Sequence, residues 1–332
     1  MTDQRAVLRS EFLTTQGLNA SSLAPLAGDA SFRRYFRLNS PAGPLVLMDA
    51  PPPQEDVRPF ARLSRHLDDL GFSVPRVQAE DTTNGFLLLE DFGDTTYSRA
   101  LADGVDETEL YTLAVDVLLA LHAIPTEQVL LPGLPLYETD DMTEKAGLLM
   151  EWYPTLATGK PADPSLVDDY RALWRQILPT LDAGRRTLVL RDYHVDNLML
   201  LSGRHGIKRC GLLDFQDAAR GATAYDLASL IEDARRDINP ALYRTMLDRY
   251  LASLPAADHP DFLAALALCA AQRHSRVIGV FARLKLRDGK SHYLHHLPRL
   301  WRLFERALQH ESLAPIRNFL DRHVPVPMRS RA

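Results

Sequence analysis

Apolar residues alternate with polar ones over the first part of the chain and recur at helical spacing over most of the remainder. Val7, Leu8, Phe12 and Leu13 predict an amphipathic helix over residues 1 to 20, closed near Gly17. Leu23 to Leu26 and Arg34 to Leu38 read as strands joined by a tight turn over residues 27 to 33, and a further turn at 41 to 43 leads to a third strand, Leu45 to Asp49. The triple proline at 51 to 53 cannot continue a sheet. Val57, Phe60, Leu63, Leu67 and Leu70 predict a helix with Pro59 in its first turn and Gly71 at its C-terminus. Val74 to Ala79 and Gly85 to Leu89 complete a five-stranded sheet with one helix inside it, and residues 90 to 94 break the pattern as a linker.

Beyond the linker, Leu110, Leu113, Val117, Leu118 and Leu121 mark a buried helix stopped by Pro125. A helix covers the second half of 126 to 151, and another runs from Ser165 to Leu181. Leu188 to Leu190 is a short apolar run. Leu198 to Leu201 and Ile207 to Leu213, joined by a turn at 202 to 206, predict a hairpin. Tyr225 to Ile238, Pro240 to Leu254, Pro260 to Leu284 and His292 to His310 are helical in period. The reading is an α+β chain: a sheet lobe at 1–90, a linker at 91–94, and a helical lobe at 95–332 with an inserted hairpin.

Composition narrows the partners. A formal net charge of -5 over 332 residues makes no basic field, so nucleic acid is not expected. The two cysteines, Cys210 and Cys269, follow no disulfide or metal spacing, which suits a reducing cytosol. With no apolar run long enough for a bilayer and no signal-peptide pattern, the expected location is cytoplasmic. Lysine is scarce: Lys145, Lys160, Lys208, Lys285 and Lys290 are all there are, so the sheet lobe has none.

The candidate chemistry lies between Leu188 and Asp217. The run at 188 to 190 delivers Asp192, Asn197 follows five positions on, and the hairpin carries Asp214 back beside them. An aspartate for an attacking hydroxyl, with an amide and a carboxylate as oxygen ligands for magnesium, is what phosphoryl transfer needs. Asp192 and Asn197 as turn residues are the plainer alternatives. His194 reads as either a satisfied structural histidine or a chemical one, Asp226 as a buried acceptor for catalytic-loop amides, and Asp217 as either a substrate contact or a cap.

The order of elements resembles the protein-kinase-like two-lobe fold, and the residues resemble its aminoglycoside phosphotransferase and choline kinase branch. Asp192-Tyr193-His194-Val195-Asp196-Asn197, Asp214-Phe215-Gln216-Asp217 and Gly221 to Ala228 carry the likeness, in the family's order. It implies Asp192 as catalytic base, Asn197 and Asp214 as metal ligands, and ATP and Mg2+ as cofactors. Glu90 and Phe92 are then expected to contact adenine through their backbone, with Leu47, Leu89 and Leu213 sandwiching the base.

The family's third-strand lysine is missing, because that strand reads Leu45-Val46-Leu47-Met48-Asp49. Ser31, Arg33 and Arg34 are the candidate phosphate cradle in its place, although adjacent strand residues face opposite ways and only one arginine can point inward. The alternative is that both arginines are solvated strand-end charges. Phe32 to Arg37, Val46 to Pro52, Leu87 to Asp94, Gln272-Arg273 and Phe281 to Lys290 resemble bacterial anomeric sugar kinases within the family. That resemblance implies phosphorylation of N-acetylmuramate and N-acetylglucosamine at C1 in cell-wall recycling. Glu151, Trp152, Asp192, Gln216, Asp217 and Glu232 are the candidate sugar contacts. Two other readings stay open: a kinase for another small alcohol or amino sugar, motivated by the acidic run 138 to 144, and a nucleotide-binding pseudokinase, motivated by the absent lysine.

Overall fold

The computed structural model describes residues 4–26, 32–137 and 139–330. The first helix, α1 (Gln4–Thr15), ends where Gly17 takes a left-handed φ of 70°. Strands β1 (Ala24–Pro25), β2 (Arg34–Ser40) and β3 (Gly43–Asp49) come next, then α2 (Arg58–Asp69), β4 (Val77–Asp81) and β5 (Phe86–Glu90). They form the expected five-stranded sheet, antiparallel and in the order β1-β2-β3-β5-β4. Gly85 cannot be replaced by a larger residue: it has a φ of 75°, and a Cβ there would meet the Ala50 carbonyl oxygen at 2.0 Å.

Register decides what each sheet face does. Phe36, Leu47 and Leu88 align across three strands, as do Arg37, Val46 and Leu89 on the opposite face. Leu38, Leu45, Leu47, Phe86 and Leu88 pack with Phe12 and Leu13 of α1 into a core, each buried side chain contributing about 1.5–3 kcal/mol. Asp49, 1 % exposed, binds Arg5 and, at 2.7 Å, Arg9, which pins α1 to the strand end.

After the linker come α3 (Tyr97–Ala102), α4 (Glu107–Ala123), α5 (Thr126–Val129), α6 (Thr139–Thr158) and α7 (Pro164–Ile177). Then β6 (Arg186–Val189), β7 (Leu198–Leu200), β8 (Cys210–Leu212) and β9 (Ala219–Ala222) precede α8 (Ala224–Ile231), α9 (Pro240–Leu251) and α10 (His259–Asp288). The chain closes with α11 (Leu297–Ala307), α12 (Ala314–His323) and α13 (Val326–Arg329). Compactness divides it into two units: Met1–Val117 with Val195–Asp217, and Leu118–His194 with Ala218–Ala332.

In the first unit, β7 and β8 pair as a short hairpin, tied to the residues around the linker by Leu200 N–H to Thr95 O and Leu212 N–H to Ser73 O, both 2.8 Å. In the second, β6 pairs with β9, and α10 packs along α6 so closely that a Cβ on Gly279 would lie 2.3 Å from the Leu148 carbonyl carbon.

Several predicted boundaries move. Residues 206–209 form a 3-10 turn, so only Cys210–Leu212 continue as strand, because Lys208 and Arg209 face outward within an apolar-looking run. The predicted helix to Leu181 becomes 3-10 at Leu178, where Pro179 removes a donor. The helix expected from His292 starts as α at Leu297, ahead of Pro298.

Candidate active site

The metal-binding candidates belong to the first unit. β8 leads into Leu213, whose N–H donates to Asn197 O at 2.9 Å and so ties the two sides of the hairpin beside the candidate ligands. Asp214 then takes a φ of 57°, a sparsely populated conformation for a residue with a side chain. Its carboxylate accepts from Gln216 Nε2 at 2.7 Å and Asn197 Nδ2 at 3.4 Å, and Arg33 Nη2 lies 3.7 Å away. Phe215, fully buried, packs against Phe60 of α2 with ring centroids 4.9 Å apart.

Asn197 and Asp214 offer hard oxygen donors, and among the described residues no group of three or more His, Cys, Asp or Glu could cage a metal. Such a pair fits magnesium, which keeps waters and phosphate oxygens in its remaining positions.

Arg33, just ahead of β2, lies 3.7 Å from both Glu55 and Asp214, whereas Arg34 pairs in register with Asp49 on the α1 face and is exposed. Arg33 therefore is the inward arginine, and Arg34 as a phosphate ligand is a correction imposed by strand alternation. Burial works against the Arg33 charge, but Tyr35, Asp214, Glu55 and Asp217 overcome it and hold the group protonated. Ser31 lies outside the described residues.

Leu47 also needs correction. It is sealed against α1 with no exposure, on the opposite face from Leu89, so the two cannot sandwich one base. Val46, half-buried and in register with Leu89, shares that residue's face instead. Leu213 is half-buried.

In the linker, Glu90 pairs with Arg76 and Arg204, and the Arg204 guanidinium lies 5.0 Å from the Phe92 ring. Arg37 grips the same segment, binding Asp91 at 2.5 and 3.0 Å and Asp94 at 2.9 Å. No local motif pointed to that clamp.

The base candidate belongs to the second unit. β6 leads into Leu190 and Arg191, whose N–H groups donate to the buried Asp226 carboxylate at 2.6 and 2.9 Å, the scaffold role expected for Asp226. Burial pushes the Asp226 carboxyl up to about 7 despite these donors. Arg191 has a φ of 71°, and Arg273 from α10 donates to its carbonyl at 3.0 Å while lying 3.5 Å from Asp192 Oδ1.

Burial also raises the proton affinity of Asp192, but Arg273 and Arg276 outweigh it and bring the carboxyl to about 2. Asp192 is thus an anion at neutral pH on a loop held from both sides. His194 is buried; burial and the Arg235 and Arg273 charges keep its ring neutral.

The sugar-contact candidates divide. Glu232 is withdrawn: it is 5 % exposed, His274 holds one oxygen at 2.8 Å, and Arg306 and Tyr243 hold the other at 3.0 and 3.2 Å. Burial and that network correct its assignment to the sugar, since the carboxylate is held inside the fold by three partners. Glu151 binds Arg171 on the α6–α7 flank. Trp152 is half-buried, Gln216 donates to Asp214 through its amide nitrogen and leaves its amide oxygen without a partner among the described residues, and Asp217 is exposed.

The acidic run is largely neutralised, Asp141 by Lys145 at 2.6 Å and Glu144 by Arg171 and Arg175 at 3.0 and 3.1 Å; Glu138 is outside the described residues.

A five-stranded antiparallel sheet with one inner helix, leading into a helical remainder, is the protein-kinase-like fold, and an ionised loop aspartate upstream of an Asn–Asp oxygen pair is the equipment of its phosphotransferases. Residues 22–266 match the phosphotransferase enzyme family, and the chain belongs to that family.

Among its relatives, an N-acetylmuramate/N-acetylglucosamine kinase of Caulobacter vibrioides is 35 % identical, with 99 % of each chain covered. A protein of the same name from Pseudomonas aeruginosa is 39 % identical over 87 % of this chain and 84 % of its own. Among solved structures, the GDP complex of wild-type aminoglycoside 2′-phosphotransferase-IIIa aligns with a TM-score of 0.60 at 16 % identity, covering 91 % of this chain and 99 % of that one. A choline/ethanolamine kinase family protein from Mesorhizobium loti aligns at 0.59 and 14 %, covering 90 % and 92 %. These likenesses carry the fold. The chain is a phosphotransferase of the kinase type.

Proposed function

We propose that this protein is a sugar kinase that uses ATP and magnesium to phosphorylate the anomeric hydroxyl of N-acetylmuramate and N-acetylglucosamine, in the cytoplasm, for cell-wall recycling. The observation that carries the reading is similarity to a kinase of that name over 99 % of both chains. The ionised Asp192 supports it chemically.

Asp192 accepts a hydrogen bond from the C1 hydroxyl and takes its proton late, as the bond from O1 to the γ-phosphorus forms and the bridging bond to ADP breaks. A carboxylate of such low basicity suits this acceptor, because an anomeric hydroxyl is more acidic than an ordinary alcohol. Asn197 and Asp214 are the ligands for magnesium, which when bound screens the charge of the nucleotide phosphates.

Arg33 does the work of the missing strand lysine, offering a bidentate fork to phosphate. Residues 1–90 bind the nucleotide, with Val46 and Leu89 on the base and the Glu90 and Phe92 backbone at its edge. Residues 91–94 act as the hinge and 95–332 carry the sugar, with Trp152, Gln216 and Asp217 as its contacts.

Incubation with ATP, magnesium and a panel of sugars, aminoglycosides and choline tests the proposal. Turnover confined to the two acetylated sugars is expected; turnover on choline or an aminoglycoside alone, or on nothing, overturns it.

A further inference from the structure

Four cations gather around two tyrosines beside the Asp192 loop. Tyr137 and Tyr225 are buried edge to face, with ring centroids 5.0 Å and hydroxyls 3.1 Å apart. The Arg191 guanidinium lies 5.0 Å and Lys145 Nζ 5.5 Å from the Tyr137 ring centre. Arg273 is 6.0 Å from the Tyr225 centre, and Arg276 reaches the same tyrosine.

Among the described residues, Asp141 binds Lys145, Asp226 accepts from backbone N–H groups, and Asp192 lies 3.5 Å from Arg273. Crowding like charges in a partly buried place is costly, and after burial itself the Arg191 and Arg276 charges are what reduce the proton affinity of Lys145.

Two features separate this cluster from a closed structural network. Nη1 of Arg276 is buried and has no hydrogen-bond partner among the described residues. The cluster also opens outward, since the Asp192 and Lys145 side chains are 30 % and 28 % exposed. Clustered cations, with a buried guanidinium nitrogen of Arg276 unpaired among the described residues and beside the partly exposed Asp192, are suited to an anionic group on the acceptor molecule.

We propose that Lys145, Arg191 and Arg276 form a carboxylate-binding subsite that takes the lactyl carboxylate of an acidic amino sugar while its anomeric hydroxyl faces Asp192. The inference rests on the sugar-kinase reading above. N-acetylmuramate is N-acetylglucosamine with a lactyl ether on O3, so one base serves both sugars and only the acidic one uses the cations. Their role is therefore selectivity between the two acceptors.

The readout is the ratio of kcat/KM for N-acetylmuramate to that for N-acetylglucosamine. Lys145→Gln and Arg276→Gln are each expected to lower it roughly ten-fold or more, the worth of a charge-assisted hydrogen bond. With the wild-type protein, converting the lactyl carboxylate to its amide should cost a similar factor, whereas the variants should handle acid and amide nearly alike. Equal losses on both sugars, leaving the ratio unchanged, overturn the subsite and make these cations supports of the Asp192 loop. A wild type indifferent to amidation overturns it without reference to any variant. Transfer to neither sugar by the wild type fails the functional reading itself, and the subsite with it.

Discussion

Asp192 and Asp226 are two carboxyls in one neighbourhood with opposite electrostatics, and each predicts its own pH behaviour. Asp226 binds its proton more tightly folded than unfolded, with its value raised from 3.8 to about 7. Its contribution to stability is full below about pH 4 and is lost as pH rises to about 7, at up to about 1.4 kcal/mol per pH unit. Urea midpoints at pH 5 and pH 7.5 should show the wild type losing stability relative to Asp226→Asn across that interval. A gain instead means that Asp226 is ionised when folded.

Asp192 runs the other way. Its folded value of about 2 lies below the ordinary 3.8, so its contribution is present above about pH 4 and lost as pH falls toward 2. Asp192→Asn should cut kcat by a thousand-fold or more, on the order expected for a lost base aided by its positioning, with ATP affinity by calorimetry within about two-fold. Equal loss of ATP binding would make Asp192 structural.

Strand alternation gives a matched pair at the same scale. Arg33→Ala should weaken ATP binding by roughly ten-fold, the worth of a charge-assisted contact, and Arg34→Ala should not. The reverse result refutes the inward placement of Arg33.

At the scale of elements, the hairpin that Asn197 precedes and Asp214 follows was readable because its signals are local, two short apolar runs flanking one turn. The five strands and their inner helix were readable too, because period and turn residues agree. What escaped is set by distant partners. The sheet face of Leu47 is defined by α1, the carboxylate of Glu232 by His274 on α10, and the linker clamp by Arg37 on β2. Nothing within a few residues of Leu47, Glu232 or Asp91 records those neighbours.

The packing of α6 on α10 is of the same kind, and it can be tested with one methyl group. Gly279→Ala places a Cβ against the Leu148 backbone, which cannot yield as a side-chain tip can. A loss of about 1–3 kcal/mol or more is expected, seen as a lowered Tm by calorimetry. An unchanged Tm contradicts the close approach of the two helices.

For the whole molecule, the two compact units carry different halves of the proposed chemistry: Arg33, Asn197 and Asp214 belong to the first, and Asp192 with its arginines to the second. The chain passes from one unit to the other between His194 and Val195, after Asp192 and before Asn197. On the proposed function the absent strand lysine is no sign of lost activity, since Asp192 is ionised and Arg33 stands beside Asp214.

The central claim is the position of the new phosphate. Phosphorus NMR of the product from N-acetylglucosamine, ATP and magnesium should show the phosphate coupled to the anomeric proton. Coupling to the C6 protons instead would contradict the account.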